Sequence, residues 1–173
     1  LQGENAEIIE TYRALNMPPL IKLKVARAPL KSDILLFNRL AELNRALQIR
    51  CDANQSWSGA QAACFFAHIN CRQLDYIEEP TGSYADNLQL AQQYQIALGL
   101  DESLQDQSFC YRHHPCIKAL VIKPSLTGSL QRLQHFIDIA VKQRLQLHLS
   151  SSFESVIALQ QLAALAYRYR KAC

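Results

Sequence analysis

Several familiar signals are missing from this chain of 173 residues, and each absence narrows the reading. No apolar run approaches the roughly 18 residues of a membrane span, and no signal-peptide pattern opens at Leu1. The formal net charge is only +3 and the Lys and Arg residues are scattered, with no basic stripe, which argues against a nucleic-acid partner. No CxxC pair occurs: Cys51, Cys64, Cys71, Cys110, Cys116 and Cys173 sit singly. They read as reduced thiols of a cytoplasmic protein rather than as disulfides or zinc ligands. The five His residues show no metal-ligand spacing, and no Ser-His-Asp order, P-loop or GxGxxG is present. No linker or low-complexity stretch divides the chain, so residues 1–173 read as a single domain. With 49% hydrophobic and 19% charged residues it can bury a core.

What is there is a repeat of polar residues at the ends of short apolar runs. Lys24, Asp52, Glu78, Asp101, Lys123 and Ser150 each close such a run. They recur once every roughly 25 residues, about what one strand, a loop, a helix and a return loop need. The pattern predicts an α/β chain built as a partial (β/α) barrel with about six parallel strands. The carboxyl ends of such strands are where barrels build active sites.

In chain order, Asn5–Leu15 has helical apolar spacing and stops before Pro18-Pro19. Strands are expected from Leu20, Gln48, Gln73, Ile96, Lys118 and Leu145. Helices are expected from Ser32 as a cap to about Leu47, Ser58 to Ile69, Tyr84 to Tyr94, Leu130 to Arg144 and Ser155 to Tyr169, with a short one near Ser108–His113. The first of these should place Ile34, Leu35, Leu40, Leu43 and Leu47 on one face.

Asp52, Glu78 and Asp101 close three consecutive strands. Hard oxygen ligands from separate elements suit Mg²⁺, which keeps water and substrate in its other positions. Capping of the following helices by the same acids is the plainer alternative. Asn54 falls on Asp52's side if that strand continues. Lys22 and Lys24 share one face of their strand, either toward the site or as solvated lysines of an edge strand. In a closed barrel Lys24 and Lys123 would face each other across the mouth, and a lysine near a divalent cation can act as a base. Ser150, Ser151 and Ser152 either bind a carboxylate near a helix start or cap the helix with Glu154 in support. His148 reads as a satisfied strand residue and His113-His114 as a loop.

The pieces Lys22-Leu23-Lys24, Asp52-Ala53-Asn54, Ile77-Glu78-Glu79-Pro80, Asp101-Glu102-Ser103 and Ile122-Lys123-Pro124 together resemble the enolase superfamily, in the branch of muconate-lactonising enzymes. The stretches Val121–Ser129 and Ser150–Ser155 resemble its o-succinylbenzoate synthase family. The resemblance implies Mg²⁺ on Asp52, Glu78 and Asp101. It implies Lys24 as general base and then acid, Lys22 as electrostatic help at a carboxylate, and Lys123 as a cation against the substrate ring. Ser150–Ser152 would lie near the succinyl end of a small-molecule carboxylate, and Asn54 would support the site. The implied reaction is dehydration of 2-succinyl-6-hydroxy-2,4-cyclohexadiene-1-carboxylate to o-succinylbenzoate, a lyase step of menaquinone biosynthesis. Dipeptide epimerases and N-acylamino acid racemases share the lysines, and a non-catalytic α/β fragment is the remaining alternative.

Two departures stand out. Ala26 occupies a position where the family often has Gly. Nothing corresponds to the family's N-terminal capping domain, and six strand candidates stand where a closed barrel has eight. The expectation is a barrel-domain fragment with little activity alone.

Overall fold

The computed structural model describes residues 3–170. The chain divides into two compact units, residues 1–98 and 99–173. Leu1 and Gln2, where at most a remnant of a barrel's first strand would fall, lie outside the described residues, as does Cys173.

The first unit opens with α1 (Asn5–Ala14), followed by β1 (Leu20–Lys24), α2 (Leu30–Leu43), β2 (Gln48–Asp52), α3 (Gly59–His68), β3 (Leu74–Glu78) and α4 (Tyr84–Tyr94). β1, β2 and β3 pair in parallel in chain order. The register sets Lys24 opposite Asp52 and Asp52 opposite Glu78, so the last residues of three strands form one row. Alternation puts Ile21 and Leu23 of β1 in the core and leaves Lys22 and Lys24 on the other face. Helices cover the core face with aromatic rings. Phe65 meets Phe37 edge-on at 5.9 Å, Trp57 at 4.7 Å and Phe66 at 5.8 Å, and Phe66 meets Tyr94 at 5.6 Å. Ser58 caps α3 in a capping box with Gln61.

β4 (Leu98–Leu100) spans the boundary between the units. The second unit continues with β5 (Ile117–Ile122), α5 (Leu130–Gln143), β6 (Gln146–Leu149) and α6 (Val156–Arg168), and β5 pairs with β6 in parallel. Leu133, Phe136, Ile137 and Ala140 of α5 are buried, as are Ala119, Leu120, Val121 and Leu147 of the strands. Ser129 caps α5 and Ser155 caps α6. None of the residues of α6 is fully buried.

Three expectations need correction. Ser32 is not a cap: α2 starts at Leu30 behind Pro29, whose fixed φ already suits a helix entry, and Ser32 Oγ instead accepts from Asn5 Nδ2 at 2.9 Å. With that start, Leu36, Phe37, Leu40 and Ala41 face the core and Leu35 is 68% exposed. The helix expected near Ser108–His113 is irregular chain. Arg132 of α5 donates to the carbonyls of Asp106, Gln107 and Phe109, and Asp106 accepts from Ser108 N–H. These tertiary bonds consume carbonyls that a local helix would need.

Candidate active site

Four charged side chains of the first unit meet at its strand ends. Lys22 Nζ lies 2.6 Å from Glu78 Oε2 and 2.9 Å from Asp52 Oδ2. Lys24 Nζ lies 2.6 Å from Asp52 Oδ2 and donates to Asn54 Oδ1 at 2.8 Å. Asp52 and Glu78 are each 1% exposed, whereas the lysines enter from a wetter side, with side chains 41% and 27% exposed. Burial alone would raise the proton affinity of Asp52; hydrogen bonds from Lys24 and Lys22 outweigh it and hold the carboxyl below its ordinary value. Burial works to lower Lys22, but Glu78 and Asp52 prevail and hold its ammonium above the ordinary lysine value. Both lysines therefore point to the acids while keeping part of their surface in water.

Asn54 reaches this cluster by a different route from a continued strand. β2 ends at Asp52, and Asn54 adopts a left-handed φ of 47°. The turn brings its backbone N–H to Asp52 Oδ1 at 3.1 Å and its side-chain Oδ1 to Lys24 Nζ. Next to Asp52 on β2, the Cys51 thiol is pushed well up by burial and by Asp33, Asp52 and Glu78, so it stays a neutral packing group.

In the second unit Asp101, 1% exposed, follows β4 and accepts from Lys123 Nζ at 2.6 Å and from Gln105 Nε2 at 3.0 Å. Gln105 was not legible as a site neighbour. It sits four residues past Asp101, across the 3-10 turn Glu102–Leu104, which brings it back to the carboxylate. The Ser150–Ser152 run is a turn at the end of β6. Ser150 N–H donates to Ile122 O, and Ser152 donates to Glu154 through both N–H and Oγ. Ser125 Oγ joins them, 2.9 Å from Ser152 Oγ and 2.6 Å from Glu154 Oε1. Capping of α6 falls to Ser155, which accepts from Ala158 N–H, and not to the run itself.

A row of buried carboxylates with lysines on the same oxygens sets hard oxygen donors beside cationic groups at the strand ends. The family model described as enolase C-terminal domain-like matches residues 6–171. The chain belongs to this family. Its fold is accordingly a partial (β/α) barrel of the enolase C-terminal type, with six strands among the described residues. Two curated relatives are o-succinylbenzoate synthases, from Yersinia pseudotuberculosis at 36% identity and from Haemophilus influenzae at 34%. The matches cover 95% and 96% of this chain and 52% of each relative, so the chain spans about half the length of the curated relatives it matches. Among solved structures, o-succinylbenzoate synthase from Thermosynechococcus elongatus BP-1, complexed with Mg in the active site, is similar over 96% of this chain and 54% of that one. Its TM-score is 0.70 at 25% identity.

No helix among the described residues is long and apolar enough to cross a membrane. The five described cysteines are free thiols.

Proposed function

We propose that the chain carries the catalytic strands of an o-succinylbenzoate synthase-like lyase, a cytoplasmic enzyme that dehydrates 2-succinyl-6-hydroxy-2,4-cyclohexadiene-1-carboxylate. The observation that carries the reading is the row Lys24–Asp52–Glu78, with Lys22 on both acids and Asn54 on Asp52 and Lys24. Curated relatives at 34–36% identity bear that enzyme's name. In this reading residues 1–173 belong to one incomplete barrel domain.

The ligands of Mg²⁺ are proposed to be Asp52, Glu78 and Asp101. The donor chemistry fits: three nearly fully buried carboxylates, one from the end of each of β2, β3 and β4, are hard oxygen donors. When bound, Mg²⁺ supplies the positive charge that a carboxylate needs as it takes up a second negative charge. Lys24 then removes the proton α to that carboxylate and returns it to the departing hydroxide, so that water leaves and the ring becomes aromatic. As the neutral amine it takes the proton and as the ammonium it gives it back, with its Nζ position set by Asp52 and Asn54. Lys22 contributes charge at the carboxylate, Lys123 places a cation against the ring, and Ser150, Ser151 and Ser152 receive the succinyl end.

The test joins this chain to the segments of the Haemophilus relative that it does not span, and assays the product with Mg²⁺. Both the cyclohexadiene substrate and an Ala-Glu dipeptide are offered. Dehydration that disappears in Lys24→Ala while the protein still melts cooperatively is the expected result. Epimerisation of the dipeptide without dehydration would overturn the synthase reading in favour of the epimerase, and dehydration surviving Lys24→Ala would overturn the acid/base assignment.

A further inference from the structure

Glu79 is a carboxylate 1% exposed, next to a proposed ligand, with no role in the mechanism above. It belongs to a strap between two loops of the first unit. Gln55 N–H donates to Glu79 O at 3.0 Å, Gln55 Nε2 donates to Glu79 Oε2 at 2.5 Å, and Trp57 N–H donates to Pro80 O at 3.1 Å. Ser56 and Thr81 add an antiparallel bridge. Three non-glycine residues of the strap have left-handed φ: Asn54 at 47°, Gln55 at 56° and Glu79 at 26°. Side chains with a Cβ resist that conformation, and it persists only where surrounding bonds over-determine it. Here the bonds between Gln55 and Glu79 are among them. The residue they immobilise on the other side is Asn54, whose N–H orients Asp52 Oδ1 and whose Oδ1 holds Lys24.

We propose that Glu79 is a positioning residue: through Gln55 it locks the left-handed turn at Asn54 and thereby aims the Asp52 carboxylate and the Lys24 ammonium. The inference deepens the metal-dependent reading and rests on it for its consequence, though the strap itself is a property of the first unit alone. Residues that orient a ligand by hydrogen bonds commonly change metal affinity by ten- to a hundredfold when removed. Gln55 donates to the Glu79 side chain, so any acceptor at position 79 preserves the link. The charge is not what the link requires.

The experiment titrates Mg²⁺ calorimetrically into the full 173-residue chain and its Glu79→Ala, Glu79→Gln and Gln55→Ala variants. In parallel, hydrogen exchange of the Asn54, Gln55 and Trp57 backbone amides is followed. Glu79→Ala and Gln55→Ala are expected to weaken Mg²⁺ by about tenfold and speed exchange at these amides, with Glu79→Gln close to the parent. A merely structural Glu79 would lower the melting temperature and leave affinity unchanged, which would overturn the proposal, as would a Glu79→Gln variant as weak as Glu79→Ala. Should Glu79→Ala not fold, Gln55→Ala decides by the same two readouts. Should the parent bind no Mg²⁺, the metal reading fails separately. Amide exchange then decides the strap: unchanged exchange in Glu79→Ala overturns it, and faster exchange sustains it.

Discussion

The helices of the first unit and α6 of the second both carry apolar sequence and use it differently. In the first unit Phe65 sits at the centre of three aromatic contacts and is fully buried, and the strands beneath it end in a charged row with fixed partners. α6 carries an apolar pattern as well, yet Val156 is 72% exposed, Ile157 70% and Leu159 44%. Periodicity states which face of a helix is apolar; what covers that face is a tertiary fact. Rigidity follows from coverage, so the site residues that rest on the packed unit have definite geometry to lose.

The largest expected effect sharpens that contrast. Phe65→Ala should cost about 3–5 kcal/mol, the usual loss for a buried aromatic, whereas Ile157→Ser should stay within about 0.5 kcal/mol. Denaturant melts of the two variants check it, and equal losses would mean that α6 is packed in solution. Next in size is the charged row. Asp52→Ala removes the acceptor shared by Lys22 and Lys24. The lysines are partly exposed and recover hydration, so about 1–3 kcal/mol is expected rather than the larger loss of a wholly buried pair. Calorimetry should also show Mg²⁺ binding abolished in this variant.

Ala26→Gly moves stability the other way. Ala26 has a φ of 64° and its N–H is bound by Asp33 Oδ2 at 2.8 Å. Glycine takes that conformation without the Cβ clash, and a gain of about 0.5–1 kcal/mol is expected after allowing for the looser unfolded chain. The same contact predicts a pH effect. Burial raises the Asp33 carboxyl above its ordinary value, against the opposing Ala26 N–H. The folded chain therefore binds this proton more tightly than the unfolded one, and the contribution is lost as pH rises through the folded value. Asp33→Asn keeps an acceptor for Ala26 and should flatten that part of the melting profile between acidic and neutral pH. An unchanged slope would show that another group carries it.

How legible this was follows from the range of the forces involved. β1, β2 and β3 could be read because strand alternation and a terminal charge are local, and Gln48–Asp52 and Tyr84–Tyr94 came out at their observed bounds. The convergence of Lys22 and Lys24 on Asp52 was one of two readings that the spacing left open, and parallel pairing, which aligns strand ends, makes it possible. The strap at Gln55 and Glu79 was not legible: it joins residues 24 apart through backbone conformations that side chains normally avoid. The chain around Ser108 escaped for a related reason, since Arg132 reaches it from α5. Ala26 was visible as a departure, but its cost could be assigned only once its φ was known.

The smallest expected effect concerns the serine turn, where the contrast between packed and exposed regions should nearly vanish. Glu154 accepts from Ser125, from Ser152 N–H and from Ser152 Oγ. Those bonds, led by the one from Ser125, hold its carboxyl below the ordinary value, although it stands in water. Exposed hydrogen bonds of this kind exchange with solvent at little net cost. Glu154→Gln retains an acceptor for Ser152 N–H, so its melting curve should overlay the parent's. What should change is the turn itself: the Ser152 amide, now bonded to a neutral oxygen, should exchange faster with solvent while the Ser150 amide, bonded to Ile122 in the β5–β6 ladder, should not. Faster exchange at both would show that Glu154 supports the end of the sheet as well as the turn. Unchanged exchange at both would show that the turn holds its shape without that carboxylate.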